Sequence, residues 1–244
     1  MRLVLFDIDG TLLTARGAGR RALGRALAAT YGTAGRLDGY DFRGRTDRRI
    51  VADLMSEAGI PPRRVQARMR ACFDAYALAL TEEIGDGGLV RLLPGVGEIV
   101  RRLGEDAQVV LGLVTGNTED GARIKLGPTG LWPVFRTGAY GSEHSDRRRL
   151  PGLATRRARA LTGHAFRPDD VLVLGDTPLD VECARAFGAV AVAVATGQYS
   201  RAELAAAGPD LLFDTFADVE ATIRALRDAS TRSSPRTSSA AIPT

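Results

Sequence analysis

The chain of 244 residues is poor in the features that mark several large classes of protein. Its two cysteines, Cys72 and Cys183, are too few for a disulfide framework and do not have the spacing of a zinc site. No apolar run approaches the roughly 20 residues of a membrane span. The apolar N-terminus is too short for a signal peptide and is interrupted by Asp7 and Asp9. These absences predict a cytoplasmic protein with no membrane partner.

Lysine is almost absent as well: Lys125 is the only lysine, and the other cationic side chains are arginines apart from two histidines. The formal net charge is only +4 and aromatic residues make up 6% of the chain. The arginines are spread along the sequence, apart from one run at residues 147–149. Since nucleic-acid binding calls for a concentrated basic surface, the composition predicts no nucleic-acid partner.

The pattern of apolar residues divides the chain into a helical part and an alternating α/β part. Residues 15–88 have apolar residues at helix spacing, whereas later segments alternate short apolar strands with helices. Such alternation predicts a parallel sheet covered by helices on both faces. We therefore expect a Rossmann-like, doubly wound α/β core with an inserted helical cap domain. The expected divisions are a core at residues 1–14 and 89–228, a cap at 15–88, and a disordered tail at 229–244.

Carboxylates follow two of the predicted strands. Asp7 and Asp9 end the first strand, and because alternate residues of a strand point to the same side, both can reach one small volume. Asp176 and Asp180 follow the apolar run at residues 171–174. Like charges this close repel unless a cation or a shared proton lies between them. A turn residue at Asp176 and a helix cap at Asp180 are the structural alternatives.

A third strand end carries neutral hydrogen-bonding groups. The apolar run at residues 109–114 is followed by Thr115, Gly116 and Asn117, which together offer a hydroxyl, an open backbone amide and a side-chain amide. Such donors at the entry to a helix suit a phosphate group, although the same three residues also form ordinary turns. Because open α/β sheets bind their ligands at the carboxyl ends of strands, the three strand ends favour one shared site.

Together these segments resemble the haloacid dehalogenase (HAD) superfamily over residues 1–228. Three motifs carry the resemblance: D-x-D-G-T at residues 7–11, a threonine at 115, and G-D-x-x-x-D at 175–180. Within the predicted cap, Gly-Arg-Thr-Asp at residues 44–47 resembles the G-x-T-D element of phosphoglycolate-phosphatase-like members that have a type-1 helical cap.

The resemblance implies Mg²⁺-dependent hydrolysis of a small phosphorylated metabolite. It implies that Asp7 is the nucleophile, which forms an aspartyl-phosphate, and that Asp9 is the general acid and base. It also implies that Mg²⁺ is bound by Asp7, Asp176 and the carbonyl of Asp9, with Asp180 as a direct or supporting ligand.

The phosphate group and the third motif are the remaining parts of the implied site. Phosphate binding is expected from Thr115, Gly116 and Asn117 in the core and from Arg45 in the cap. The third motif of the family usually contains a lysine, but this chain has three arginines there, of which we favour Arg147. Lys125 lies inside the helix after the second motif, so we expect its side chain at the protein surface.

Two other functions remain open at this level. A sugar-phosphate mutase of the phosphoglucomutase kind would use the same core residues and differ only in the acceptor of the phosphoryl group. A non-catalytic phosphate-binding module is a second alternative, although the presence of Asp7, Asp9 and Asp176 favours an enzyme. In the family that this chain resembles, dehalogenases lack an aspartate at the position of Asp9, so its presence disfavours that activity. Phosphonoacetaldehyde hydrolases need a lysine in the cap to form a Schiff base, and no lysine precedes Lys125 here. The oligomeric state is not predicted.

Overall fold

The computed structural model describes residues 1–229, so the predicted disordered tail lies, except for Ala229, outside the described residues. This part contains eight strands, and six of them form one parallel sheet. The strands are β1 (Arg2–Phe6), β2 (Leu13–Thr14), β3 (Arg91–Leu92), β4 (Val109–Thr115), β5 (Thr137–Tyr140), β6 (Val171–Gly175), β7 (Val190–Val194) and β8 (Leu211–Phe213). The order in the large sheet is β5-β4-β1-β6-β7-β8, which puts β1 between β4 and β6.

Nine α-helices accompany these strands in the described part of the chain. They are α1 (Ala18–Tyr31), α2 (Asp47–Glu57), α3 (Pro62–Ile84), α4 (Val96–Gly104), α5 (Glu119–Leu126), α6 (Leu150–Thr162), α7 (Pro178–Phe187), α8 (Arg201–Ala207) and α9 (Val219–Asp228). No helix among residues 1–229 is long and apolar enough to cross a lipid bilayer.

The central strand β1 shows why the sheet is buried on both faces. Its residues Leu3 to Phe6 are all apolar and at most 2% exposed. Leu3 and Leu5 belong to one core cluster, whereas Val4 and Phe6 belong to the other. Because alternate side chains point to opposite faces of a sheet, this strand supplies both cores at once. The predicted α/β fold with a Rossmann-like parallel sheet is confirmed.

The helical part of the chain lies between β2 and β3 in sequence and consists of α1, α2 and α3, with α1 and α2 each packed on α3. The two short strands pair antiparallel, with Leu13 opposite Leu92, and so bring the two ends of the helical segment together. This pairing was not predicted, because two-residue strands are too short to produce an alternating pattern. The exact division between core and cap stays a prediction, and residues 15–88 are called the cap segment below.

The loop between α1 and α2 joins the cap segment to the core. The backbone N–H of Asp47 donates to the carbonyl of Gly116 at 2.7 Å, and the Thr46 hydroxyl donates to the carbonyl of Ser145 at 3.0 Å. The approach needs a glycine at 116, because a Cβ there would lie 2.1 Å from the carbonyl oxygen of Arg45. The loop therefore lies directly against the strand ends that carry the polar residues.

Candidate active site

Three acidic side chains converge at the carboxyl edge of the sheet. Asp7 follows β1, Asp176 follows β6, and Asp180 lies in the first turn of α7. One carboxylate oxygen from each lies within 4.8 Å of the others, and all three residues are buried. The neighbouring positions of β1 and β6 in the sheet produce this convergence.

Local hydrogen bonds fix the orientation of two of these carboxylates. The Thr11 hydroxyl donates to Oδ1 of Asp176 at 3.1 Å. Thr177 is the N-cap of α7: its backbone N–H donates to Oδ2 of Asp180 at 3.1 Å, and the Asp180 N–H donates to the Thr177 hydroxyl at 3.3 Å. The same hydroxyl donates to Oδ2 of Asp180 at 2.7 Å. This reciprocal capping box makes Thr177 the helix cap and leaves Oδ1 of Asp180 facing the cluster.

Among residues 1–229, one arginine forms ion pairs with the acidic cluster. Nη2 of Arg147 lies 3.2 Å from Oδ1 of Asp7 and also forms an ion pair with Oδ1 of Asp180. Its Nη1 donates to the carbonyl of Gly44 in the cap segment at 3.2 Å. By contrast, Arg148 is exposed and pairs with Asp146 at 2.9 Å. The structure thus places Arg147, and neither Arg148 nor the exposed Arg149, between the core carboxylates and the cap segment.

The charges in this cluster do not balance. Burial raises the pKa of Asp176 well above its usual value, and repulsion from Asp180 and Asp7 raises it further. Burial also raises the pKa of Asp180 to about 6, although Arg147 acts in the opposite direction. Burial alone would lower the pKa of Arg147, but Asp180 and Asp7 raise it.

Three carboxylates beside one guanidinium leave two negative charges without compensation when all of them are ionised. A divalent cation would balance that excess, and an all-oxygen ligand set is the kind that Mg²⁺ prefers. The donors present in this cluster therefore fit the metal that the resemblance implies.

Asp9 lies in a different environment from the acidic cluster. Its side chain is 46% exposed and accepts two hydrogen bonds at the same oxygen, Oδ2. The donors are Nζ of Lys125 at 2.6 Å and Nδ2 of Asn117 at 2.8 Å. The Asp9 carboxylate is not part of the group of three acidic side chains suited to a metal. The prediction that its backbone carbonyl binds the metal stays a prediction.

The prediction that Lys125 lies at the surface is wrong. Only 6% of its side chain is exposed, and its ammonium reaches Asp9 and Asn117. The reason lies in packing, because α5 is covered by the cap helices. A Cβ at Gly19 of α1 would lie 3.2 Å from Nζ of Lys125 and 3.4 Å from the hydroxyl oxygen of Tyr76 in α3. Only one feature of the sequence set Lys125 apart from the other cations: it is the single lysine of an arginine-rich chain.

The expected phosphate-binding residues surround the same space in two groups. In the core, Thr115 is buried and its hydroxyl oxygen accepts from Nδ2 of Asn117 at 2.9 Å. Both the nitrogen and the oxygen of the Asn117 side-chain amide are thus hydrogen-bonded within the protein, because the oxygen accepts from Nζ of Lys125. In the cap segment, the Arg45 guanidinium lies 3.7 Å from Asp53 and 5.5 Å from the centre of the Tyr40 ring.

Asp47 is a buried residue whose contribution the sequence reasoning did not identify. Its Oδ2 accepts from the backbone N–H of Thr118 at 2.8 Å, directly after the second motif. Burial raises the pKa of Asp47 to about 6, although Lys125 and the Thr118 N–H oppose this. The residue belongs to the Gly-Arg-Thr-Asp segment at 44–47, so the sequence marked the segment but not this contact. Asp47 ties the cap segment to the loop that carries Asn117.

A cavity of about 560 Å³ joins these groups. Its core wall includes Asp7, Asp9 and Asp176, and Lys125 and Arg147 lie on its sides. Its cap wall includes the arginines Arg16, Arg20, Arg43 and Arg45. The cavity is therefore lined by core carboxylates and by several cap-side guanidinium groups, together with Asp41 and Asp47. Such a lining suits a small anionic ligand bound together with a cation.

Comparison with known proteins finds relatives over most of the chain. The chain is 29% identical over 230 residues to a phosphoglycolate phosphatase of Synechococcus elongatus, covering 90% of this chain and 95% of that protein. It is 28% identical over 237 residues to a phosphoglycolate phosphatase of Rhodospirillum rubrum, covering 89% of each. A crystal structure described as a predicted phosphatase from Clostridium acetobutylicum superposes with a TM-score of 0.66 at 18% identity, covering 91% of this chain and 98% of that one.

Two family models match the sequence itself. The model described as HAD-hydrolase-like matches residues 152–219. The model described as haloacid dehalogenase-like hydrolase matches residues 4–185, which include the strand ends that carry Asp7, Thr115 and Asp176. Since that match spans most of the chain and the sheet places its motifs at one edge, the protein belongs to the haloacid dehalogenase-like hydrolase family.

Proposed function

We propose that this HAD-type phosphatase uses Mg²⁺ to hydrolyse a small phosphate monoester through a phosphoryl intermediate on Asp7. The observation that carries the proposal is the acidic cluster beside Arg147 at the floor of the cavity, with Asp9 at its edge. Asp7, Asp176 and Asp180 would hold the metal. Bound Mg²⁺ would supply positive charge that offsets the charges of the phosphate and the carboxylates.

The first chemical step is attack by an Asp7 oxygen on phosphorus, with cleavage of the bond from phosphorus to the ester oxygen. Arg147 holds the Asp7 carboxylate by its contact with Oδ1 and adds fixed positive charge beside the transferring group. Asp9 gives a proton to the departing alkoxide, so that the alcohol leaves neutral.

The second step returns Asp7 to its free form. A water molecule attacks phosphorus, Asp9 takes the proton from that water, and the bond from Asp7 to phosphorus breaks to release inorganic phosphate. In both steps the Thr115 hydroxyl and the Gly116 amide are proposed to bind phosphate oxygens that are not transferred. The site assignments in this scheme are proposals, supported by the positions of the side chains around the cavity.

For the substrate we propose a phosphorylated small carboxylate, with 2-phosphoglycolate as the first compound to test. The printed names of the two relatives support this choice. Arg45 supports it as well, because a guanidinium binds carboxylates well and this one lines the cavity. It lies 3.7 Å from its protein partner Asp53, whereas Arg20 and Arg43 lie 3.2 Å and 2.7 Å from theirs. A cytoplasmic location is proposed as well.

The test is release of inorganic phosphate by the purified full chain from 2-phosphoglycolate and from a panel of sugar and alkyl phosphates. We expect activity to disappear in EDTA and to return with Mg²⁺, whereas Ca²⁺ should inhibit because its larger and looser coordination shell misplaces Asp7. Full activity in EDTA would contradict the metal-dependent scheme. Isomerisation of a sugar phosphate without release of phosphate would instead identify a mutase.

A further inference from the structure

The side chain of Asp9 is held by a ring of three residues. Lys125 donates to Oδ2 of Asp9 at 2.6 Å and to Oδ1 of Asn117 at 2.7 Å. Asn117 in turn donates to the same Oδ2 at 2.8 Å, which closes the ring. From this geometry, and resting on the proposed function, we propose that Lys125 is a positioning residue that fixes the Asp9 carboxylate for both proton transfers.

The two oxygens of Asp9 have different surroundings. Oδ2 accepts both hydrogen bonds, whereas Oδ1 accepts none from any residue in the described range 1–229. A carboxylate held at one oxygen can rotate little, so its other oxygen has a fixed direction. Asp9 lines the cavity, and the free Oδ1 is therefore the atom that gives and takes the proton.

The difference in burial shows which partner restrains the other. The Lys125 side chain is 6% exposed, but that of Asp9 is 46% exposed. A half-exposed aspartate samples several rotamers unless something holds it. A buried ammonium, by contrast, is costly without a charged or hydrogen-bonded partner, so it retains the carboxylate strongly. Lys125 is thus the immobile partner, and Asp9 is the side chain that it orients.

The amino-acid composition supports a specific need for lysine at this position. Apart from two histidines, every other basic side chain is an arginine, yet the buried cation beside Asp9 is a lysine. The space explains why: Gly19 of α1 approaches so closely that even a Cβ there would lie 3.2 Å from Nζ of Lys125. An ammonium is a compact point charge, whereas a planar guanidinium is wider and would not fit between α1 and Asn117.

This role predicts a kinetic pattern that a purely structural role would not produce. Without Lys125, both steps that use Asp9 become slow when the leaving group is an alcohol. An aryl phosphate such as p-nitrophenyl phosphate has a leaving group that departs without a proton, so only its second step depends on Asp9. The phosphorylated enzyme should then accumulate with the aryl substrate but not with an alkyl one.

The experiment compares Lys125→Met with wild type and with Arg123→Met, which removes an exposed cation from the same helix. The alkyl phosphate that wild type hydrolyses best and p-nitrophenyl phosphate are each followed by rapid mixing. For Lys125→Met we expect kcat on the alkyl phosphate to fall about 100-fold. With p-nitrophenyl phosphate we expect a stoichiometric burst of nitrophenolate followed by slow turnover. Arg123→Met should behave like wild type.

Other outcomes overturn the proposal in distinct ways. Equal losses on both substrates without a burst would show a structural role only, and kcat within about three-fold of wild type would show that Lys125 does not act on Asp9. If thermal melting shows that Lys125→Met is unfolded, Lys125→Gln is judged by the same criteria. Wild type that releases phosphate from neither compound would refute the proposed function itself, whereas an active wild type with no burst in the variant would refute only this inference.

Discussion

Asp7 and Asp9 are separated by one residue, yet the structure surrounds them differently. Asp7 is 5% exposed and contacts Arg147 within a group of three buried carboxylates. Asp9 is nearly half exposed and is held by Lys125 outside that group. Each aspartate thus has its own buried cation, a guanidinium for one and an ammonium for the other.

This difference follows from the chemistry that each aspartate is proposed to perform. A nucleophile must stay ionised and shielded from water beside a cation, and Nη2 of Arg147 supplies that charge to Asp7 and Asp180 at once. An acid and base must reach the leaving group and then water, so it needs one free oxygen near the open cavity. The comparison indicates that each cation serves one aspartate, and replacing the aspartates and Arg147 one at a time tests this.

The largest expected effect comes from replacing each of the two aspartates with asparagine. Asp7→Asn should keep the fold and lower kcat by about four orders of magnitude or more, because an amide fills the same space but cannot attack phosphorus. Asp9→Asn should also be severely impaired, but with p-nitrophenyl phosphate, whose leaving group needs no proton, it should still form a slowly hydrolysed phosphoenzyme. The measurement is phosphate release together with the intact mass of the protein after exposure to substrate. Substantial turnover by Asp7→Asn would refute the assignment of the nucleophile.

A smaller effect tests the cation beside Asp7. Arg147→Ala should lower kcat/KM about 100-fold, or about 3 kcal/mol, because Asp7 and Asp180 lose their common partner and face the phosphate with less compensation. Arg148→Ala and Arg149→Ala are matched controls, because both side chains are exposed, and they should stay within a few-fold of wild type. Near-normal kinetics for all three variants would show that another residue supplies the charge.

The smallest effect concerns the cap wall opposite both aspartates. Arg45→Ala should raise KM for 2-phosphoglycolate roughly ten-fold and change kcat little, because the side chain lines the cavity but is in contact with Asp53 rather than with the acidic cluster. Arg36→Ala is the control, since that arginine is exposed in the cap segment and pairs with Glu57. Steady-state kinetics would contradict the role of Arg45 if both variants gave the same KM.

Much of the architecture is local and could therefore be predicted. Helices were predicted over residues 15–88, and the structure has α1, α2 and α3 in this range. Their apolar spacing is a property of neighbouring residues, so it needs no knowledge of the rest of the fold. The pair of β2 and β3 was missed, since each strand is only two residues long and is stabilised by its partner far along the chain.

Within the site, the sequence by itself determined which polar residues lie at the carboxyl ends of the strands. Short apolar runs that each end in polar residues, alternating with helices, require a parallel sheet, and in such a sheet the carboxyl ends meet at one edge. That argument placed Asp7, Thr115 and Asp176 in one region without any knowledge of their contacts.

Only the tertiary structure decided which cation serves which aspartate. Three consecutive arginines are equivalent as sequence, and burial against Asp180 distinguishes Arg147 from the others. Lys125 was predicted to lie at the surface, because the pattern of one amphipathic helix does not show which neighbouring elements cover it. Its burial depends on α1 and α3, whose residues Gly19 and Tyr76 lie far from it along the chain. The contact between Lys125 and Asp9 therefore depends on the packing of the cap segment on the core.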